Sequence, residues 1–572
     1  MESRNVTRPA RKVTIVGGGI IGYLEALMEY LKFKRTGVPV KVSIYEQAPD
    51  ITYTTAYNNR GSITVNEPAS VVPRAKALLK AIMLECTKSG GIKMPDVSGI
   101  LESASVKAFL AEVEAFSVNE DLVDAKNMQL LEFGKFAASM WQFLYDNLGD
   151  EFRKIMDESN YKPCSIAGDW EDPAVGYRCD PIFNFHTASA QAKAESIIKE
   201  HEDLGYKHCK ILSPKEAEAR DPSLKHFCQS QSEQDPATGE LVWKKSASVV
   251  LRPGGCINGA IFLPKLHAFL ENNMGTYVNE DGKTKNCFQA SYNKSVIGLS
   301  LRDNADGTAK ILEALQTNRV LKNGGRKDNR ARYGDHHEVV LCTGKDVSVI
   351  PSLGVDFPAF TGFAGPSVLF DLPVTREQLA DHPEYLTLDN CMEALEEDIV
   401  LAWQSKTVKG EDDRLRICIG VAGSKALSGV ETPTNDQVFA RTKQTRLLNM
   451  INTIYPKAVS LALERDTAGQ ELSYDDLLAL VSKGIVKRWV GNRAVAVDSM
   501  FTIGQASVDG KPVVGVSMNT HGGSGGIAHG VGMVYLRRHA VYGQGMPHQN
   551  APAAPKGIDE MAVSCSPKRH YS

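Results

Sequence analysis

Apolar residues near the N-terminus change their spacing twice within a short stretch. Residues 13–16 form a brief apolar run, and apolar residues between Ile20 and Leu31 then recur at intervals of three and four. Every second residue from Val38 to Ile44 is apolar. Helical spacing between two strand-like segments predicts a strand, a helix and a second strand over residues 13–46.

Later segments show further changes of period. The pattern predicts helices within 71–148, a β-meander over 280–335, a buried strand at Glu338–Cys342, helices near Gln437–Ile454 and Tyr474–Val481, a strand at Pro512–Met518 and a helix at Ile527–Leu536. Residues 543–572 are rich in Pro, Ala, Gly and Ser, which predicts a flexible tail.

A glycine motif lies where the first predicted strand meets the first predicted helix. Gly17, Gly19 and Gly22 fit G-x-G-x-x-G, with Ile20 and Ile21 at the start of the helix. The first glycine permits a tight turn, the second lets a pyrophosphate approach the backbone, and the third lets helix and strand pack closely. Unpaired N–H groups at the helix N-terminus favour an anion. The other interpretation is a glycine-rich turn without a dinucleotide.

An acidic residue follows the second predicted strand, as the motif requires. Glu46, followed by Gln47, lies at the end of that strand. Its carboxylate would accept hydrogen bonds from ribose hydroxyls and repel a 2′-phosphate, which disfavours NADP. The motif by itself does not distinguish FAD from NAD.

Composition narrows the class of protein. With 572 residues, 42% hydrophobic and 23% charged, the chain has the profile of a soluble protein of two or more domains. A net charge of -3 does not favour nucleic acid. No apolar run reaches the roughly 20 residues of a transmembrane helix. The expected location is the cytoplasm, with peripheral membrane contact left open.

The 11 cysteines are scattered without a C-x-x-C pair, and no H-E-x-x-H occurs. A disulfide framework and a zinc site are therefore not expected, and no metal ligand is assigned.

Several segments, in order, resemble the D-amino-acid oxidase-like superfamily of flavoproteins, which includes glycine oxidase, sarcosine oxidase and D-amino-acid dehydrogenase. The segments are the glycine motif, Thr55–Ile63, Ile211–Leu224, Gly254–Pro264, Val339–Gly344, Trp489–Arg493 and Thr520–Ile527. The resemblance implies an α/β fold, with a Rossmann-type FAD-binding domain and a discontinuous α+β substrate domain.

The resemblance implies which residues contact FAD. They are Gly17, Gly19, Ile20, Ile21, Gly22, Glu46, Gln47, Asn59, Arg60, Gly61, Ser62, Thr343, Gly344, Gly522, Gly523, Ser524, Gly525, Gly526 and Ile527. Relatives of the sarcosine oxidase type attach flavin through a cysteine. No cysteine lies between Cys418 and Cys565, so FAD is expected to bind without a covalent bond.

Two residues are assigned to the reaction by the same resemblance. Arg493 matches an arginine that forks onto the substrate carboxylate in amino-acid-oxidising relatives, a geometry that lysine cannot copy. A structural arginine is the other interpretation. His521 is placed beside the flavin, although a loop histidine held by backbone contacts is equally consistent with the sequence.

The domain division follows from the order of these segments. The FAD-binding domain is expected to comprise 1–70, 205–225, 255–355 and 485–540, and the substrate or cap domain 71–204, 226–254 and 356–484. The expected reaction oxidises the C–H bond next to the nitrogen of an amino acid or related amine, with hydride passing to flavin N5 and then to oxygen or a quinone. A dehydrogenase of a 2-hydroxy acid or polyol phosphate, and a catalytically silent FAD-binding protein, remain open.

The sequence departs from the family near the arginine. Ala494 replaces a proline, and Asp498–Phe501 replaces an Asp-Gly-x-Pro segment. These changes fall on the substrate side, so they put the substrate in doubt and leave FAD binding intact.

Overall fold

The fold is taken from a computed structural model of the chain. It describes residues 11–58, 61–63, 119–159, 178–184, 210–213, 231–234, 241–244, 248–278, 281–320, 325–332, 337–344, 354–396, 399–409, 414–422, 426–427, 438–498, 500–521 and 526–569, with a few isolated positions between these ranges.

The helices are α1 (Ile20–Thr36), α2 (Glu120–Asn147), α3 (Asp150–Glu158), α4 (Gly259–Asn273), α5 (Val438–Ile454), α6 (Pro456–Leu463), α7 (Tyr474–Ser482), α8 (Gly530–Tyr542) and α9 (Ile558–Ser564). The strands are β1 (Arg11–Val16), β2 (Val40–Tyr45), β3 (Ser62–Ile63), β4 (Arg178–Asn184), β5 (Lys210–Leu212), β6 (Gln231–Gln234), β7 (Leu241–Lys244), β8 (Ser248–Cys256), β9 (Thr276–Val278), β10 (Thr284–Asn286), β11 (Phe288–Ser291), β12 (Lys294–Asp303), β13 (Lys310–Val320), β14 (Arg326–Arg332), β15 (His337–Leu341), β16 (Phe360–Val374), β17 (Asp389–Glu396), β18 (Ile399–Lys409), β19 (Leu415–Ala422), β20 (Ala426–Leu427), β21 (Val486–Ala496), β22 (Thr502–Val508) and β23 (Lys511–Thr520).

A parallel sheet organises the part of the fold that contains the glycine motif. Its strands run in the order β11-β2-β1-β15-β23, and each neighbouring pair is parallel. β1 lies at the centre, where Val13 and Ile15 are buried. The strand, helix and strand predicted over residues 13–46 are confirmed, so the fold is a mixed α/β fold with a parallel sheet.

The predicted meander covers one face of this sheet. β12, β13 and β14 are antiparallel, and β13 also pairs with the start of β23, so the described strands form one nine-stranded sheet. Val296 and Leu315 of the meander pack with Val16, Val339 and Leu341 of the parallel strands in one buried cluster.

Helices cover the other face, and they include a segment that was expected elsewhere. α1, α2, α3, α4 and α8 share one buried cluster, in which Trp141 of α2 and Phe152 of α3 are fully buried. A Cβ atom on Gly532 of α8 would lie 2.9 Å from the Cβ of Ala137, so the two helices need a glycine there to pack so closely. The described helices of segment 71–204, assigned to the cap by sequence, therefore pack with the parallel-sheet layer.

A second, ten-stranded sheet holds most of the remaining chain. Its order is β20-β16-β19-β18-β17-β4-β8-β3, with β21 beside β16 and β5 beside β8. α5, α6 and α7 bury their apolar residues against it, which confirms the helices predicted near 437–454 and 474–481.

Two segments assigned to the FAD-binding domain belong to this second sheet. β5, within 205–225, pairs with β8, and β21, within 485–540, pairs with β16 from Phe360 to Phe370. Backbone hydrogen bonding between strands decides which sheet a strand joins. The sequence motifs within β5 and β21 do not show which strand each one pairs with.

The C-terminal segment is packed, and the flexible tail predicted over 543–572 is wrong for residues 543–569. Met546, Ile558, Met561 and Cys565 are buried in the same cluster as α1 and α8. The prediction relied on the Pro- and Ala-rich composition of the segment and overlooked a few apolar residues at helical spacing in α9.

A buried network of charges joins α1, α8 and β15. Arg537 forks onto Glu25, with Nε 2.6 Å from Oε1 and Nη2 2.7 Å from Oε2, and its Nη1 lies 3.2 Å from Glu338. Arg538 lies 3.1 Å from Glu29, and Arg11 pairs with both Glu29 and Glu338. Three arginines thus balance three glutamates in the interior, as buried charge requires.

Replacing Arg537 with Met should destabilise the protein by about 3–5 kcal/mol, because the buried charge of Glu25 would lose its positively charged partner. Arg416→Met is the matched control, since Arg416 also forks onto a carboxylate, Asp371, but their side chains are 48% and 41% exposed. The control should change the free energy of unfolding by less than about 1 kcal/mol. Urea unfolding measures both; equal losses would show that burial does not set the strength of this pair.

Candidate functional site

The carboxyl ends of four parallel strands meet at one edge of the sheet. Val16 lies between Tyr45 and Leu341 in the register, and Leu341 lies beside Met518. The described residues that follow these strands are therefore brought together: the glycine motif after β1, Glu46 after β2, Thr343 after β15 and His521 after β23. Ligands of open α/β sheets bind at such an edge.

Two glycines of the motif are required by the protein itself. Gly17 has φ 112°, and a Cβ atom there would lie 2.3 Å from the carbonyl oxygen of Cys342. A Cβ on Gly22 would lie 2.0 Å from the carbonyl oxygen of Gly17. Both positions therefore exclude a side chain. The absence of side chains lets β1 and α1 approach each other closely at the turn between them.

Gly19 differs from the other two, because nothing in the described protein requires a glycine there. Its φ of -78° and ψ of -173° are open to any residue, and a Cβ atom would meet nothing within 4 Å. It is the N-cap of α1, yet no side chain caps the helix. The first turn of α1, with Ile20 and Ile21, thus presents backbone N–H groups beside a position where a Cβ would meet no described atom within 4 Å, and such a helix N-terminus fits a phosphate group.

Glu46 lies beside this turn. Its Oε2 accepts a hydrogen bond from the backbone N–H of Gly18 at 2.6 Å, and its Oε1 accepts one from Ala48 at 2.8 Å. These bonds fix the carboxylate next to the glycine turn. Gln47 is exposed.

The end of β15 adds a polar group to the same edge. The Oγ1 atom of Thr343 is buried without a hydrogen-bond partner among the described residues. Gly344 has φ 57°, and its carbonyl oxygen accepts a hydrogen bond from Thr520 Oγ1 at 3.2 Å, which ties the ends of β15 and β23 together. A buried hydroxyl without a partner is costly, so a ligand acceptor at this position would stabilise it.

The segment after Glu46 packs between the two sheets. A Cβ on Gly61, which has φ 75°, would lie 1.7 Å from the carbonyl oxygen of Ile257, and one on Gly259 would lie 2.3 Å from that of Ala56. The backbone of Ser62 pairs with Cys256. Asn59 and Arg60, together with the side chain of Ser62, lie outside the described residues.

A lysine on β21 binds this segment from the second sheet. Lys487 Nζ donates to the carbonyl oxygen of Thr52 at 2.8 Å and lies 5.4, 5.2 and 5.9 Å from the ring centroids of Tyr53, Tyr57 and Trp489. Cation–π attraction stabilises such an arrangement, and burial lowers the pKa of Lys487. The sequence analysis did not identify Lys487 as a site residue. The available signal was its position in β21, two residues before Trp489, because alternate residues of a strand lie on the same face.

Arg493 occupies a position on the same strand. Its backbone pairs with Phe363 of β16, and its side chain lies outside the described residues. Strand alternation places position 493 on the same face as Lys487 and Gly491. A Cβ on Gly491 would lie 3.3 Å from Thr55, so this face of β21 is the one that meets the segment after Glu46.

His521 follows β23 and is almost fully buried, at 2% exposure. Its φ is 62°, its ring centroid lies 4.4 Å from that of Phe360, and its Nδ1 lies 2.7 Å from Thr502 Oγ1. Burial, and then the charge of Arg569, lower the pKa of His521 to about 3, so the ring is neutral at physiological pH. The side chain of His521 is thus held by specific contacts. The sequence analysis did not predict that Thr502 and Arg569 lie close enough to act on it.

The glycine run after His521 leads into α8. Gly522, Gly523, Ser524 and Gly525 lie outside the described residues, and a Cβ on Gly526 would meet nothing within 4 Å. The carbonyl oxygen of Ile527, which is buried, accepts a hydrogen bond from Trp141 Nε1 at 3.0 Å. The helix predicted from Ile527 begins three residues later, because residues 527–529 form a turn.

The described residues contain neither a candidate metal-binding cluster nor a helix suited to crossing a membrane. Within them, no group of three or more His, Cys, Asp or Glu side chains could hold a metal ion. No helix in the same residues is both long and apolar enough to cross a membrane.

The sequence matches no protein-family model and no curated protein. Solved structures similar to the chain include L-amino acid deaminase from Proteus vulgaris, at 13% identity, 100% coverage of this chain, 99% of that chain and a TM-score of 0.46. Iminodiacetate oxidase from Chelativorans sp. BNC1 is 11% identical over 94% of this chain and 97% of that chain, with a TM-score of 0.46.

L-alpha-glycerophosphate oxidase from Mycoplasma pneumoniae, with FAD bound, is 11% identical over 95% of this chain and 99% of that chain, with a TM-score of 0.47. By their names these three proteins are oxidases and a deaminase. Likeness at this distance assigns no activity, so the function of this chain is argued from its own residues.

Matched serine substitutions should separate the two kinds of glycine. Gly22→Ser should lower the free energy of unfolding by about 1–3 kcal/mol, because its Cβ overlaps the carbonyl oxygen of Gly17. Gly19→Ser should leave stability unchanged or raise it by up to about 1 kcal/mol, because serine caps helices and has room here. Thermal or urea unfolding of the ligand-free protein measures both. A larger loss for Gly19→Ser would show that the space beside α1 is not open.

Proposed function

We propose that the chain is an FAD-dependent oxidoreductase of the D-amino-acid oxidase-like type, with a Rossmann-type FAD-binding unit around the parallel sheet. The observation that carries the proposal is Gly19, an uncapped helix N-terminus at a position that the protein leaves free of side chains without needing a glycine. A pyrophosphate approaching the backbone explains why glycine stands there.

The other residues at this edge support FAD in particular. The carboxylate of Glu46, which accepts hydrogen bonds from Gly18 and Ala48, would also accept hydrogen bonds from ribose hydroxyls. Thr343 Oγ1 and His521 Nε2 are buried without partners among the described residues, so polar groups of a bound molecule would satisfy them. The sequence predicts further FAD contacts by Asn59, Arg60, Gly61, Ser62 and Gly522–Ile527.

The substrate is proposed to bind between the two sheets. When bound, FAD supplies a hydride acceptor at its N5 atom. The ten-stranded sheet with α5, α6 and α7 forms the proposed substrate domain, which is discontinuous because its strands come from both halves of the chain. Its β21 contacts the segment after Glu46 through Lys487 and Gly491, so this strand is the part of the domain nearest the proposed cofactor surface.

The proposed substrate is an amino acid or related amine with a carboxylate. Arg493 would hold the carboxylate in a forked pair and so fix the position of the adjacent C–H bond. Oxidation removes a hydride from that carbon and a proton from the nitrogen, which leaves an imine. The two electrons leave to an external acceptor, oxygen or a quinone.

Gly19→Val should abolish FAD binding without unfolding the protein. A β-branched side chain would fill the space beside the first turn of α1, while the ordinary backbone angles of Gly19 accept it. Wild-type protein should be yellow and release FAD on denaturation, and the variant should be colourless with a melting temperature close to that of wild type. Bound NAD without flavin in the wild type would refute the cofactor, and a fully flavinylated variant would refute the phosphate position.

Arg493→Ala should lower kcat/KM by roughly tenfold to a hundredfold or more, because a forked, partly desolvated pair is worth about 1.5–3 kcal/mol. Arg493→Lys should be impaired less, since it keeps the charge and loses the fork. Flavin content should not change in either variant.

Anaerobic bleaching by amino acids, N-methyl amino acids and 2-hydroxy acids identifies the substrate for this test, and an amide of that substrate is the control. Wild type should discriminate against the amide, and Arg493→Ala should lose most of that discrimination. Equal turnover of the true substrate by wild type and Arg493→Ala would refute the carboxylate assignment. Bleaching by 2-hydroxy acids alone would refute the amine.

A further inference from the structure

A chain of polar contacts runs from the C-terminal segment to His521. Arg569 forks onto Asp498, with Nε 3.0 Å from Oδ2 and Nη2 3.2 Å from Oδ1. Its Nη1 donates to Thr502 Oγ1 at 3.3 Å, and that hydroxyl lies 2.7 Å from His521 Nδ1. Asp498 and Thr502 are fully buried, and Arg569 is 6% exposed at its side chain. We call these four residues the C-terminal relay.

Arg569 is held in place by the surrounding backbone as well. Its Nη1 donates to the carbonyl oxygen of Phe501 at 2.8 Å, and its Nη2 donates to that of Met500 at 2.9 Å. The guanidinium therefore closes the turn between β21 and β22, where the sequence departs from the family's Asp-Gly-x-Pro segment. Its position relative to Thr502 is thus fixed by several bonds.

The donors and acceptors of the relay determine where the hydroxyl hydrogen of Thr502 points. Arg569 Nη1 also lies 3.2 and 3.3 Å from the carbonyl oxygens of Cys565 and Ser566, so Thr502 shares this donor with them. Because a guanidinium only donates, Thr502 Oγ1 can act only as the acceptor in its contact with Arg569. Its own hydrogen then has one available acceptor in these contacts, His521 Nδ1. The opposite arrangement, with Nδ1 donating, would leave the buried threonine hydrogen without an acceptor among the described residues and would turn an N–H dipole toward the positive charge of Arg569.

The proton of the imidazole is therefore on the other nitrogen. A neutral ring with an accepting Nδ1 carries its hydrogen on Nε2. Burial keeps the ring neutral, since the pKa of His521 is lowered to about 3. Nε2 is itself buried and has no hydrogen-bond partner among the described residues. A donor in such a place is costly until an acceptor reaches it.

We propose that Arg569, acting through Thr502, fixes His521 as its Nε2–H tautomer, and that this N–H donates a hydrogen bond to an oxygen of bound FAD. The second half of this statement rests on the function proposed above. His521 directly precedes the glycine run that leads to α8, at the same sheet edge as the glycine motif and Thr343. Arg569 and Thr502 are positioning residues, which makes the C-terminal segment part of the cofactor site.

The tautomer can be measured without the cofactor. Ring nitrogen–proton correlation spectra of FAD-free protein carrying ¹⁵N-labelled histidine, with His521→Gln to assign the signals, should show a protonated Nε2 and an unprotonated Nδ1 from pH 6 to 8. Protonation at Nδ1, or at both nitrogens, would overturn the first half of the proposal. Saturation with FAD should then shift the Nε2 proton of His521, and an unchanged Nε2 signal with FAD bound would overturn the second half.

Threonine substitutions test the positioning role. Thr502→Val removes the hydroxyl and should abolish the preference for Nε2–H while weakening FAD binding by about tenfold, the loss of one hydrogen bond of about 1.4 kcal/mol. Thr502→Ser keeps the hydroxyl and should restore the wild-type tautomer and an FAD dissociation constant within about threefold of wild type. Equal FAD affinity in the two variants, each with a wild-type melting temperature, would overturn the role of Thr502.

Arg569→Gln covers the case in which Thr502→Val fails to fold. It removes the charge that orients the hydroxyl, so the Nδ1–H form should become detectable, and its absence would overturn the relay. If the wild-type protein binds no FAD, the proposed function and the cofactor contact both fail, while the tautomer measurement still decides the relay by itself.

Discussion

The buried pairing of Arg537 with Glu25 is the constraint on which the arrangement of the site depends. Glu25 belongs to α1, which begins at the glycine motif, and Arg537 belongs to α8, which follows the glycine run. Asn519, near the end of β23, also donates to Glu25 at 2.7 Å, and Ser517 accepts from Arg537 at 3.1 Å. One interior charge cluster therefore fixes α1, α8 and the end of β23 relative to each other, and unpaired charge in that interior would be strongly destabilising.

Close contacts between backbone segments determine the shape of the candidate site within this arrangement of helices and strands. Gly17, Gly22 and Gly61 each lie where a Cβ atom would overlap a carbonyl oxygen of a neighbouring segment, so the turns at the sheet edge are pressed against one another. Gly19 is left as the position where the same edge stays open. The contrast separates glycines that the fold requires from Gly19, which the described residues do not require and which is proposed to face a ligand; a sequence motif treats both kinds alike.

The C-terminal segment completes this arrangement from outside the motif. Cys565 of this segment is buried, its carbonyl oxygen accepts a hydrogen bond from the N–H of Ile503, and Arg569 closes the turn at Asp498. Arg569 binds Asp498, Met500 and Phe501, which lie in the segment where the sequence differs from the family pattern. A local departure from the pattern is thus matched by a distant segment that the pattern does not include.

The sequence by itself determined the strand, helix and strand around the glycine motif, the acidic residue after β2, the meander and the helices of the second layer, because each depends on local periodicity and local turn chemistry. It did not determine that α2 packs with the parallel sheet, that β21 pairs with β16, or that residues 543–569 are packed. The contacts of Lys487 with Thr52 and of Arg569 with Thr502 join residues far apart in the chain. Only the tertiary structure decided these, because periodicity shows which face of an element is apolar and leaves open which other element covers it.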